Sequence, residues 1–72
     1  MLKLFSLETG KEIREGDQVE DFRGDMMEFS SIITGKADYG KVLLRRVDKG
    51  DPNKGQKSIF FPSVINAEVR DV

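Results

Sequence analysis

Turn signals break this chain at short, regular intervals, and that spacing constrains the fold more than any other feature. Gly10, Gly16, Gly24, the pair Gly35 and Gly40, and the pair Gly50 and Gly55 mark the breaks. No segment between them carries apolar residues at i, i+3, i+4 and i+7 for long enough to make an amphipathic helix. Short runs rich in β-branched and aromatic residues, separated by turns, read instead as strands of an all-β domain. With 72 residues the chain has room for one domain, residues 1–72, and one small core.

Individual strands follow from the pattern. Residues 2–7 make a strand, Glu8 to Lys11 a tight turn with Gly10 at positive φ, and residues 12–14 the returning strand of an N-terminal β-hairpin. Residues 18–22 form the next strand, between turns at Gly16 and Gly24. Val19 and Phe22 are three apart, so both reach the core only if a bulge bends the strand near Glu20-Asp21. Residues 26–33 follow, with Met27, Phe29, Ser31 and Ile33 on one face and Ile32 on the other. In the strand 41–48, Val42 and Leu44 point inward, Lys41 and Arg45 outward. Residues 49–56 read as an exposed loop tip. Lys57 to Phe61 is a strand that Pro62 ends. Ser63 is expected to cap a 3₁₀ turn over Val64 to Asn66, and residues 67–72 close the chain.

A sandwich of this size is hard to fill. The expected fold is therefore a small SH3-like barrel of about five strands, with an N-terminal β-hairpin and one 3₁₀ turn before the last strand. An OB-fold is the alternative. It calls for a helix between its third and fourth strands, and the sequence offers none.

Composition removes whole classes of chemistry. Cys and His are both absent. Disulfides, thiolate metal sites and the commonest general base go with them. No carboxylate pair has an evident reason to be buried with a shifted pKa, and no glycine-rich loop leads into a helix. The expectation is a protein that is not an enzyme, with no cofactor and no metal. No apolar run approaches the length of a membrane span and no secretory signal is visible, so a cytoplasmic protein without a membrane partner is expected.

Charge is unevenly spread. Residues 1–29 hold four basic and eight acidic side chains, whereas residues 36–57 hold seven basic and three acidic. Such asymmetry accompanies nucleic-acid faces and head-to-tail self-association, although solvated strand faces produce it too. The candidate binding surface is Lys36, Tyr39, Lys41, Arg45 and Lys57, with Phe60 as a second stacking aromatic if it points outward. Phe60 and Phe61 are adjacent, so one faces the core and the other faces away. The sequence leaves open which. Asp21 and Arg23 flank Phe22. The simplest role for them is a structural pair in which the Arg23 side chain pins the bend.

Two motifs carry a family resemblance. Gly16-Asp17-Gln18-Val19-Glu20-Asp21-Phe22-Arg23-Gly24-Asp25 and Phe61-Pro62-Ser63-Val64 resemble small prophage-type proteins of bacteria and their phages. Those proteins read D-F-R-G-E and then F-x-P-S-V. The likeness covers roughly residues 8–69, and Asp25 departs from the usual Glu. It implies an SH3-like barrel and assigns Gly16, Asp21, Phe22, Arg23, Gly24, Phe61, Pro62 and Ser63 to a structural motif. It implies no particular biochemistry. A weaker likeness to KOW and Tudor barrels rests on Gly16-Asp17-Gln18-Val19 and Gly40-Lys41-Val42, and the aromatics needed for the core leave few for a Tudor-type cage. The expected partner is another protein or a second copy of the chain; nucleic acid bound by residues 36–57 is the alternative.

Overall fold

The computed structural model describes all 72 residues. The strands are β1 (Leu2–Ser6), β2 (Glu12–Ile13), β3 (Gln18–Glu20), β4 (Met26–Ile32), β5 (Val42–Arg46), β6 (Lys57–Phe60) and β7 (Ala67–Asp71), with a 3₁₀ turn at Pro62–Ile65. They build two antiparallel sheets, ordered β2-β1-β7 and β3-β4-β5-β6. Neither sheet closes on itself. The domain is all-β as expected, with seven strands rather than about five.

The N-terminal hairpin forms where the turn chemistry places it. Gly10 sits at φ 74°, and the Ser6 hydroxyl accepts hydrogen bonds from the Glu8 and Thr9 amides, each at 3.2 Å. This sets Leu4 opposite Ile13 and Phe5 opposite Glu12. Leu4 then faces inward, and Ile13 packs against the core beside it.

The core lies between the sheets. It consists of Leu4, Met27, Phe29, Val42, Leu44, Ile65 and Ala67, with Ile13, Val19, Ile32, Phe60, Val64 and Val69 half-buried around it. Val42 and Leu44 are both fully buried, so the alternation read from β5 holds. Each large side chain buried in this way stabilises the fold by about 1.5–3 kcal/mol.

The chain does contain a bulge, but in a different strand. β4 pairs Phe29 with Leu44 and then Ser31 with Leu43, leaving Ser30 as the extra residue. One inserted residue reverses the faces beyond it. Ser31 is therefore exposed, and Ile32 turns to the core, opposite to the strict alternation expected from sequence.

Phe22 is not a core residue. β3 ends at Glu20, and Phe22 lies in the turn that follows, 74% exposed. Asp21 takes the inward position instead and is 9% exposed. Its Oδ1 accepts hydrogen bonds from the Arg23 and Asp25 amides, both at 2.9 Å. The turn is thus fixed by the Asp21 carboxylate on backbone N–H groups. The Arg23 guanidinium stacks on the Phe22 ring, 5.3 Å from its centroid, rather than pairing with Asp21. Phe22→Ala is accordingly expected to change stability by less than ~1 kcal/mol in a urea titration. A loss of several kcal/mol would place the ring back in the core.

Two further expectations change near the end of the chain. The 3₁₀ turn is present, but Ser63 does not cap it: Phe61 flanks its start, no side chain caps it and Pro62 occupies the first turn. Proline's fixed φ suits that position and its missing N–H is not needed there. The loop at 49–56 is also less free than a bare tip. Asp51 tucks back, its side chain 14% exposed, and accepts a hydrogen bond from Arg46 Nη1 at 3.2 Å.

Candidate binding surface

The outer face of the four-stranded sheet carries Arg45 and Lys57, while Lys36, Tyr39 and Lys41 lie in the segment before β5 and Phe60 faces inward. The rows of that face follow from register. Gln18, Glu28, Arg45 and Lys57 are aligned across β3, β4, β5 and β6. In the next row Leu43 lies opposite Ile59. Beyond β6, Phe61 projects from the loop before the 3₁₀ turn, 62% exposed, with Lys41 Nζ 4.8 Å from its ring centroid. Ile59 is 48% exposed and Tyr39 61% exposed. An apolar strip of Leu43, Ile59 and Phe61 therefore runs between the cations Lys41, Arg45 and Lys57.

The choice between Phe60 and Phe61 is settled. Phe60 faces inward, half-buried against the core, and Phe61 is the free ring. Phe60 is thus withdrawn from the expected stacking surface and Phe61 enters it. Only the exposure of one ring over the other could have assigned them, and two adjacent phenylalanines give identical sequence signals.

Ion pairing inside the chain changes the electrostatics of this face. Lys41 pairs with Asp38 at 2.8 Å, Arg45 with Glu28 at 3.0 Å, and Arg46 with Asp51 at 3.2 Å. Arg46 points to the opposite face, since its Cα partner is the buried Met27. Lys57 has no ion-pair partner and is exposed, and the same holds for Lys36 in the loop before β5. Three of the basic side chains of residues 36–57 are consequently neutralised locally.

Several concavities lie elsewhere, one of them polar and lined by Asp25, Arg46, Asp48 and Asp51. A small notch of about 200 Å³ is lined by Phe22, Phe60 and Val64, with Asp21, Arg23, Asp25 and Arg46 around it. Its charges are mixed and Asp21 is already committed to backbone amides. A shallower cleft of about 730 Å³ opens where the sheets part, floored by Leu2, Leu4, Ile13, Phe29 and Ile32. No group of three potential metal-ligating side chains gathers at any point, and no helix is long and apolar enough to cross a membrane.

No family model matches the chain, and neither a curated protein nor a solved structure shows significant similarity to it.

Proposed function

We propose that this chain is a non-enzymatic interaction module, an SH3-like barrel of the prophage type, that acts through protein contacts or self-association made by the outer face of β5 and β6 and the free edge of β6. The observation that carries this reading is the strip formed by half-buried Leu43 with exposed Ile59 and Phe61, beside the unpaired edge of β6. Sheet edges accept a further strand through main-chain hydrogen bonds, and exposed apolar side chains beside the edge add area and selectivity. The two antiparallel sheets, the N-terminal hairpin and the single 3₁₀ turn before β7 support the SH3-like assignment.

Nucleic-acid binding is the second reading. Phe61 and Tyr39 beside Lys36, Lys41 and Lys57 favour it, because single strands bind by stacking on aromatics along a cationic track. The internal pairing of Lys41, Arg45 and Arg46 weakens it, since counterion release scales with the cations free to meet phosphate. Sedimentation at low and high salt, with and without a short single-stranded DNA or RNA, separates the two. Self-association that ignores the oligonucleotide is the expected result. Salt-sensitive binding of the oligonucleotide would transfer the function to the second reading.

A further inference from the structure

The four-stranded sheet ends in two edges of opposite charge. Along β3 and the turn before it stand Glu15, Asp17 and Glu20; along β6 and the turn before it stand Lys54 and Lys57. Within the sheet the charges of the outer face are matched, Arg45 with Glu28 and Lys41 with Asp38. Glu20 and Lys57, at the two far edges, are exposed and have no ion-pair partner. Backbone hydrogen bonds join β3 to β4 and β6 to β5, and the outward edges of both strands are unpaired.

From these unpaired, oppositely charged edges we infer that the chain associates head to tail, β6 of one copy adding to β3 of the next to continue the antiparallel sheet. The inference rests on the interaction-module reading and names its partner as a second copy. Topology permits it. The sheet runs antiparallel through all four strands. β6 therefore runs opposite to β3, and a second copy in the same orientation presents its β3 antiparallel to β6.

Register permits it as well. Setting Lys57 opposite Glu20 of the next copy sets Ser58 opposite Val19 and Ile59 opposite Gln18. Lys57, Ile59, Gln18 and Glu20 all lie on the outer face, while Ser58 and Val19 lie on the inner one. The side-chain alternation of the two strands thus stays in phase across the junction. Like-with-like pairing is disfavoured. β6 against β6 gathers two Lys57 side chains on one short ladder, and β3 against β3 gathers the acidic edges. Edge charges that block self-pairing of identical strands here leave the unlike pairing open. A contact of this kind is heterologous, so it propagates into rings or open chains rather than closing as a dimer.

The test is a charge swap read by sedimentation over a concentration series at low salt. The wild-type mass is expected to rise above the 8.2 kDa monomer with concentration and to fall back on adding salt. Lys57→Glu and Glu20→Lys are each expected to remain monomeric. An equimolar mixture of the two, and the double variant carrying both, are expected to regain association, because each restores an unlike pair across the junction. Both positions are exposed, and circular dichroism checks that each variant is folded. A wild type that stays monomeric at every concentration overturns the inference. Single variants that associate like the wild type overturn it too, while leaving self-association through another surface standing. Mass changes that appear only with an oligonucleotide instead overturn the interaction-module reading itself.

Discussion

Leu44→Ala is expected to remove about 2–5 kcal/mol, a large share of the domain's stability. Leu44 is fully buried, with Phe29 opposite it on β4 and Ser58 on β6. Truncating a buried leucine costs about 2–5 kcal/mol, the upper part of that range where the surroundings cannot collapse into the cavity. The site is in the middle of the four-stranded sheet, held by ladders on both sides, so collapse is restricted. The total stability of a chain of this length is roughly 4–11 kcal/mol from the usual per-residue range. Only seven apolar residues are fully inside, so no second cluster compensates. Urea titration followed by circular dichroism reads the effect. A loss below ~1 kcal/mol would mean that Leu44 does not sit in a close-packed core.

Asp21→Ala is the second large effect, through a different mechanism. One carboxylate oxygen satisfies the Arg23 and Asp25 amides, and the Asp21 amide and carbonyl bond Asp25 and Gly24 in turn, both at 3.0 Å. The four residues therefore hold a closed turn in which Gly24 adopts φ 87°, a conformation disfavoured for other residues. Alanine leaves two amides without their partner. An unsatisfied buried donor costs about 1–3 kcal/mol; these two part-buried amides fall toward the lower end of that range, and the turn also loses the group that defines its shape. Asp21→Asn separates geometry from charge. Both bonds end on a single oxygen, which the amide side chain also supplies, so the asparagine variant should retain most of the stability that alanine loses. Equal losses in the two variants would show that the negative charge, not the acceptor geometry, holds the turn.

The sequence made the inward faces of β5 and the N-terminal hairpin legible because each rests on one strong local rule. Val42 and Leu44 alternate with outward residues, and Gly10 fixes the hairpin. The errors share one physical cause. Phe22 looked like core because aromatic rings usually are, yet the inward site after Val19 goes to Asp21, whose oxygen the turn amides require. A bulge was needed somewhere for the strands to curl, but it falls at Ser30, where nothing in composition marks it. Ser31 and Ile32 exchanged faces as a consequence. Side-chain polarity alone does not rank a backbone-satisfying carboxylate above a phenylalanine, nor Phe60 above Phe61 for burial.

The candidate surface was legible in part. Arg45 and Lys57 do lie side by side on one sheet face, Lys41 immediately precedes β5, and Tyr39 is exposed. The pairing of Arg45 with Glu28 was not readable, because Glu28 lies on the neighbouring strand, and that of Lys41 with Asp38, three residues away, depends on the turn between them. Local pairing turns an apparent basic patch into a balanced face with unpaired charges left at its edges. This shift moves the weight from nucleic acid toward protein contacts.

Amide NMR spectra recorded over a concentration series test the protein-contact reading most directly, because they locate the contact as well as detect it. Resonances of residues 57–60 and 17–20 are expected to move together as concentration rises and to return on adding salt. They are expected to stay in place when a short single-stranded oligonucleotide is added to dilute protein. Spectra that ignore concentration but shift at Lys36, Tyr39, Lys41 and Phe61 on adding the oligonucleotide would contradict the reading and make this face a nucleic-acid surface.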